Sequence, residues 1–344
     1  MKLKFVYYFG FLIFIMGIVS FSKNYFTPIY FEIPKGFPKP VYDFKKNPLT
    51  EEGFQLGRQL FYDPILSKDS TISCASCHLQ QTGFTHVDHE LSHGIEGKIG
   101  TRNSLTLQNL AWNKNFMWDG GVNHLDIQAI APITSEVEMN ETIENVVSKL
   151  QKSTKYVALF EKAFGTPKIS GQLTLKAISQ FVVSFTTSNS KYDNVIRKKA
   201  SFTEIERKGY DLFKIRCATC HHEPLFTNDD FKNNGLEVDN SLNDFGRMKI
   251  TQNSKDSLKF KVPTLRNIEF TFPYMHDGRF KTLNEVVKHY NSGIKKSKTL
   301  SKELKKPMNL SENQRVELIA FLKTLTDKSF LFDKKFSFPN KNEK

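Results

Sequence analysis

The chain has 344 residues, enough for a sizeable buried core and about two domains of ordinary size. With 39% hydrophobic and 25% charged residues it reads as soluble and globular, and 31 Phe suggest aromatic-rich packing or a flat apolar ligand. The formal charge of +13 fits an anionic membrane or acidic protein partner. No helix-turn-helix, zinc-finger or RNA-binding signature accompanies it, which argues against nucleic acid. Part of the excess lies in solvated runs such as Lys295-Lys296-Ser297-Lys298 and Lys341–Lys344, so plain surface solubility explains the charge as well as a docking patch does.

In chain order, residues 1–25 begin with a short basic region (Lys2, Lys4) and an apolar run over 5–19, followed by Ser20 and Ser22. This is the pattern of a secretory signal peptide, or of an N-terminal anchor if it is retained. Either way the positive-inside rule leaves the body of the protein outside the cytoplasm, periplasmic or otherwise exported. Residues 26–47 form an extended segment in which Pro28, Pro34, Pro38 and Pro40 forbid a helix. A helix is predicted from Glu51 to Tyr62, ended before Pro64. "TLKAISQFVVSF" predicts an amphipathic helix with Ile178, Phe181, Val182 and Phe185 on one face. "TEIERKGYDLFKIR" predicts another, capped by Thr203 with Glu206. "SENQRVELIAFLKTL" predicts a closing helix capped by Ser311 with Gln314, its stripe read as Val316, Ile319 and Ala320 and broken by Lys323. No strand alternation is sustained. The expected fold is all-α, made of two similar helical domains over 48–195 and 200–335.

The four cysteines fall in two motifs, "CASCH" at 74–78 and "CATCH" at 217–221. Cys-x-x-Cys-His is the attachment signature of haem c: two thiols tether the porphyrin, and the adjacent His reaches the iron from the same side. A redox dithiol would follow a strand in a βαβ unit, and a zinc ribbon needs its halves 15–20 residues apart; here the gap is 143 residues, from 74 to 217. Two disulfides suit an exported chain, but the paired grouping favours haem. Gly57-x-x-Leu60-Phe61 before the first motif matches Gly209-x-x-Leu212-Phe213 before the second, with nine extra residues around 63–71 in the first copy. The chain therefore reads as one haem unit duplicated: Cys74, Cys77 and His78 for the first haem, Cys217, Cys220 and His221 for the second.

The segments downstream of the two motifs differ. The blocks "LGRQLFYDPILS", "RNSLTLQNLAWNKNFMWDGGVNHLDIQAIAPITSEVEM" and "FKVPTLRNIEFTFPYMHDGRFKTLNEVVKHYNSG", taken with the two haem motifs, resemble the bacterial di-haem cytochrome c peroxidases and their MauG-type relatives. The resemblance covers nearly the whole body. It implies a peroxidatic N-terminal haem, an electron-transfer C-terminal haem, and Trp118 between them. It implies Gln128, Pro132 and Glu138 around the peroxide, where a carboxylate can shuttle a proton between the two oxygens. Gly121 departs from the family, where Arg is usual, and is expected to be a surface change. His86, His89 and His93 lie downstream of the first motif, and the resemblance makes His93 a candidate removable distal ligand of the first iron. For the second iron, chemistry alone suggests Met275, since His/Met ligation is usual for c-type cytochromes; the resemblance points instead to Tyr290, as in MauG-type enzymes. It also implies one Ca²⁺ between the domains, held by Asn103, Thr271 and Pro273.

The expected activity is reduction of hydrogen peroxide to water, with electrons from a small cytochrome c or cupredoxin that presents an acidic face. The alternatives are a MauG-type oxidase that modifies a partner protein, and a non-catalytic di-haem carrier. A homodimer is an expectation by resemblance.

Overall fold

The computed structural model describes residues 26–339. The expected leader or anchor falls outside that range. Among the described residues no helix is long and apolar enough to cross a membrane.

The protein is helix-rich. Helix α1 runs Glu51–Tyr62, started by Thr50, whose hydroxyl accepts the Gly53 N–H. Then come α2 (Cys74–Cys77), α3 (Ile130–Thr134), α4 (Ile143–Gln151), α5 (Thr154–Phe164) and α6 (Gly171–Val183). In the second half come α7 (Lys191–Ile196), α8 (Glu204–Arg216), α9 (Met248–Thr251), α10 (Leu283–Lys288), α11 (Glu312–Lys323) and α12 (Lys328–Leu331). Both expected capping boxes are present, Thr203 with Glu206 and Ser311 with Gln314. Two strands interrupt the helices: β1 (Phe231–Lys232) pairs antiparallel with β2 (Phe260–Lys261), Phe231 opposite Lys261.

Two helix crossings carry the frame, α1 on α6 and α8 on α11. A Cβ on Gly57 would collide with the Ala177 carbonyl and the Phe181 side chain; a Cβ on Gly209 would collide with the Glu317 carbonyl and the Phe321 side chain. Only glycine permits backbones to approach this closely. Each crossing anchors its own apolar core. The first gathers Phe54, Phe61, Phe84, Phe181 and Phe185; the second gathers Phe213, Phe226, Leu318, Phe321 and Leu325. The C-terminal stretch returns to the first core through Phe330, Leu331 and Phe336.

Along α6 the expected stripe is the buried one. Along α11 it is not. Val316 is 56% exposed and Lys323 is also exposed, while the buried face is Leu318, Phe321, Leu322 and, past the helix end, Leu325. This second stripe has the same i, i+3, i+4, i+7 spacing with four apolar members. The contact of Phe321 with Gly209 selects it.

Candidate active site

In both halves a Cys motif is followed by a bend that aims a histidine. His78 donates its backbone N–H to Cys74 O at 3.0 Å, and His221 does the same to Cys217 O at 3.0 Å. His78 Nδ1 bonds the Phe84 carbonyl at 2.7 Å, and His221 Nδ1 bonds the Phe226 carbonyl at 3.0 Å. A carbonyl only accepts, so Nδ1 carries the proton and Nε2 keeps its lone pair free for a metal. Burial pushes both imidazoles down to about 4, so both are neutral. Phe84 and Phe226 adopt left-handed backbone angles, φ 61° and 55°. A bulky residue rarely adopts this conformation, and here it turns each carbonyl onto its histidine. Arg266 braces the second bend, making two bonds to Asp193 and one to Pro224 O.

Beside each histidine lies a cavity, about 320 Å³ at His78 and about 210 Å³ at His221. No disulfide joins the four cysteines. Burial raises Cys74 and Cys217 to about 12 and Cys77 to about 11, which keeps them as thiols. Two thiols and a metal-ready imidazole beside a cavity fit a covalent haem c in each half.

The first cavity brings together His78, Trp118, Gln128, Pro132 and Glu138. Glu138 is held where Gly94 packs on its backbone, at a contact no side chain could share. Desolvation holds its carboxyl above the usual carboxylate range. Gln128 Nε2 points to Met117 Sδ at 3.6 Å. Trp118 borders both cavities, and its indole N–H donates to Asn103 O at 2.9 Å. His93 is exposed and its ring lies 3.7 Å from that of His89; Ser92, not His93, is in the cavity wall. His86 is buried, its ring 4.4 Å from that of His89.

The second cavity contains both candidate ligands. Tyr290 sits on the π-helical turn His289–Gly293 after α10, and burial raises its hydroxyl to about 12. Met275 borders the same cavity, its Sδ accepting from Asn234 Nδ2 at 3.3 Å. Asn103, Thr271 and Pro273 border this cavity together. Asn103 Nδ2 donates to Glu90 O at 2.9 Å, which leaves Oδ1 as its free acceptor.

Sequence reasoning missed the depth of the internal repeat. Met117-Trp118-Asp119-Gly120 and Met275-His276-Asp277-Gly278 form the same turn: both Met residues are left-handed, at φ 66° and 79°, and both glycines bond back to them at 3.3 Å. Thr106-Leu107-Gln108-Asn109 and Thr264-Leu265-Arg266-Asn267 lie at the same offset of 158 residues, from 106 to 264, with Asn109 and Asn267 both left-handed. Met-x-Asp-Gly and Thr-Leu-x-Asn, each present twice, are the signals that would have revealed it. Where Gly121 replaces the usual Arg it is exposed, and Asp119 pairs instead with Arg102 at 2.7 Å, which also grips Asp244.

A fold with two such donor sets is that of a c-type haem protein. The family description "Di-haem cytochrome c peroxidase" matches residues 51–201. The chain is 36% identical over 307 residues to the methylamine utilization protein MauG of Methylorubrum extorquens, covering 86% of this chain and 83% of that one. It is 34% identical over 297 residues to the cytochrome c551 peroxidase of Nitrosomonas europaea, covering 84% of each. Among solved structures, a MauG-like protein associated with microbial copper homeostasis superimposes with a TM-score of 0.84 at 32% identity, over 90% of this chain and 99% of that one. The chain belongs to the di-haem cytochrome c peroxidase family and is an oxidoreductase with haem c as its cofactor.

Proposed function

We propose that the protein reduces hydrogen peroxide, H₂O₂ + 2H⁺ + 2e⁻ → 2H₂O, with peroxide bound on the His78 side and electrons entering on the His221 side. The observation that carries this reading is Glu138, a carboxyl desolvated in the wall of a cavity that also holds His78, Gln128 and Trp118. Bound haem iron supplies the redox chemistry at each site. Glu138 takes a proton from one peroxide oxygen and returns it to the other; its raised proton affinity suits both halves of that exchange. Gln128 orients the peroxide by hydrogen bonding, and Pro132 helps keep the wall apolar. Trp118, shared by both walls, is the ring through which electrons cross. His93, exposed and with its carbonyl 3.5 Å from Cys77 Sγ, is the candidate removable ligand that would reach the first iron. Tyr290 would hold the second haem iron as a hard donor that favours the ferric state, with Met275 as the alternative.

The two halves act as domains over 48–195 and 200–335. A Ca²⁺ between them would be held by Asn103 Oδ1 and the carbonyls of Thr271 and Pro273, oxygen donors that suit this ion when water completes the shell. The donor is a small exported redox protein with an acidic face, attracted by the basic surface. Tyr290 motivates a second reading, a MauG-type oxidase that spends peroxide on a partner protein.

Adding peroxide to the purified protein, with and without a reduced cytochrome, separates the readings. Catalytic donor oxidation supports the peroxidase. A long-lived spectral change with no donor consumed favours the MauG-type reading. An unchanged haem spectrum in either redox form leaves only an electron carrier.

A further inference from the structure

Strand β2 ends on Lys261, whose side chain is only 6% exposed. It borders both cavities. Its Nζ lies against Asp229 Oδ1, and among the described residues neither atom has a hydrogen-bond partner. Asp229 in turn accepts the backbone N–H of Lys114 at 2.7 Å and borders neither cavity. The lysine thus belongs to the wall common to both sites, and its counter-charge stands behind it. Burial disfavours the charged form of this amine, and the adjacent Asp229 carboxylate opposes that effect by direct charge attraction.

The internal repeat shows that the frame does not require a cation here. Position 261 corresponds to Asn103 at the 158-residue offset. The two residues make reciprocal backbone bonds across the halves: Asn103 N–H to His276 O at 2.7 Å, and Lys261 N–H to Trp118 O at 2.7 Å. The backbone role is met equally by a neutral side chain in the first half. A buried ion pair is seldom more stable than an apolar replacement. The ammonium is therefore an addition that stability does not explain.

Resting on the two-haem reading, we propose that Lys261 is an electrostatic positioning residue shared by both haem sites, its ammonium held by Asp229 in their common wall so that it raises the reduction potential of both. A fixed positive charge in a water-poor wall favours the less positive, reduced state of a nearby redox centre.

The test is spectroelectrochemical titration of the holoprotein and three variants, with covalent haem counted by mass. In Lys261→Met both midpoint potentials fall. In Lys261→Arg, which keeps the charge, both stay near wild type. In Lys261→Met/Asp229→Asn both remain below wild type, because the carboxylate borders neither cavity. This double variant buries no unpaired charge, so it decides the matter if Lys261→Met fails to fold. Return of both potentials to wild type in the double variant would make the pair a neutral brace and overturn the inference; so would a shift at one haem alone. A wild-type mass with fewer than two haems defeats the two-haem reading and this inference together, whereas two haems with unmoved potentials defeat the inference only.

Discussion

The two Cys-motif halves share a skeleton and differ in what hangs from it. In each, a glycine lets two helices touch, a left-handed Phe turns its carbonyl onto a buried histidine, and a left-handed Met opens a Met-x-Asp-Gly turn. On that common skeleton Trp118 stands where the other half has His276, and Asn103 where the other has Lys261. Glu138 and Gln128 face the first cavity; Tyr290 and Met275 face the second. The shared parts are those that would hold and orient an iron ligand in the proposed reading. The parts that differ are those that would meet peroxide or set a potential. In this reading the repeated skeleton would supply two similar sockets, and a handful of side chains would make them unequal.

The largest effect that would break this comparison is loss of one socket. Replacing both Cys217 and Cys220 by Ala should remove one covalent haem and leave the other, read as a single haem mass lost from the intact protein. If both haems disappear, the halves do not assemble independently. Next, Gly57→Ala and Gly209→Ala should each destabilise the protein by about 1–3 kcal/mol through overpacking, to a similar extent, in denaturant titrations of the holoprotein. Markedly unequal losses would show that the two crossings are not equivalent. On the chemical side, Glu138 must be deprotonated to accept a proton, and burial raises its pKa. Peroxide turnover should therefore decline as pH is lowered through a range above that of an exposed carboxylate, and Glu138→Gln should abolish that limb of the profile. The smallest expected change is at the second site: Tyr290→Met should raise the potential of one haem and leave the other near its wild-type value, by redox titration. No shift, or a shift at both, would remove Tyr290 from its assigned place.

Much of this was legible in the sequence. Helix α1 has its predicted bounds because Thr50 caps it and Pro64 lies just beyond, both local effects. The proposed haem residues could be named from sequence because tether and ligand are contiguous in Cys-x-x-Cys-His. The residues gathered around Glu138 came from resemblance, since nothing local brings positions 78, 118, 128 and 138 to one cavity. The stripe of α11 was misread because two apolar registers coexist there, and only packing against Gly209 chooses between them. The left-handed Phe84 and Phe226 were invisible because their strain is imposed by tertiary contacts. Lys261 was hidden for the same reason: in a chain with 49 Lys and Arg, one buried lysine looks like any other.

The division of labour between the sockets is tested most directly by the rate at which peroxide changes the haem spectrum, followed by stopped flow in Glu138→Gln and Tyr290→Phe holoproteins. Glu138→Gln should slow that step by about 10²–10⁴-fold, the usual worth of a positioned proton-transfer group, while Tyr290→Phe leaves it within a few-fold of wild type. A Tyr290→Phe protein slowed as much as Glu138→Gln, or a Glu138→Gln protein as fast as wild type, would contradict the assignment of peroxide chemistry to the first cavity.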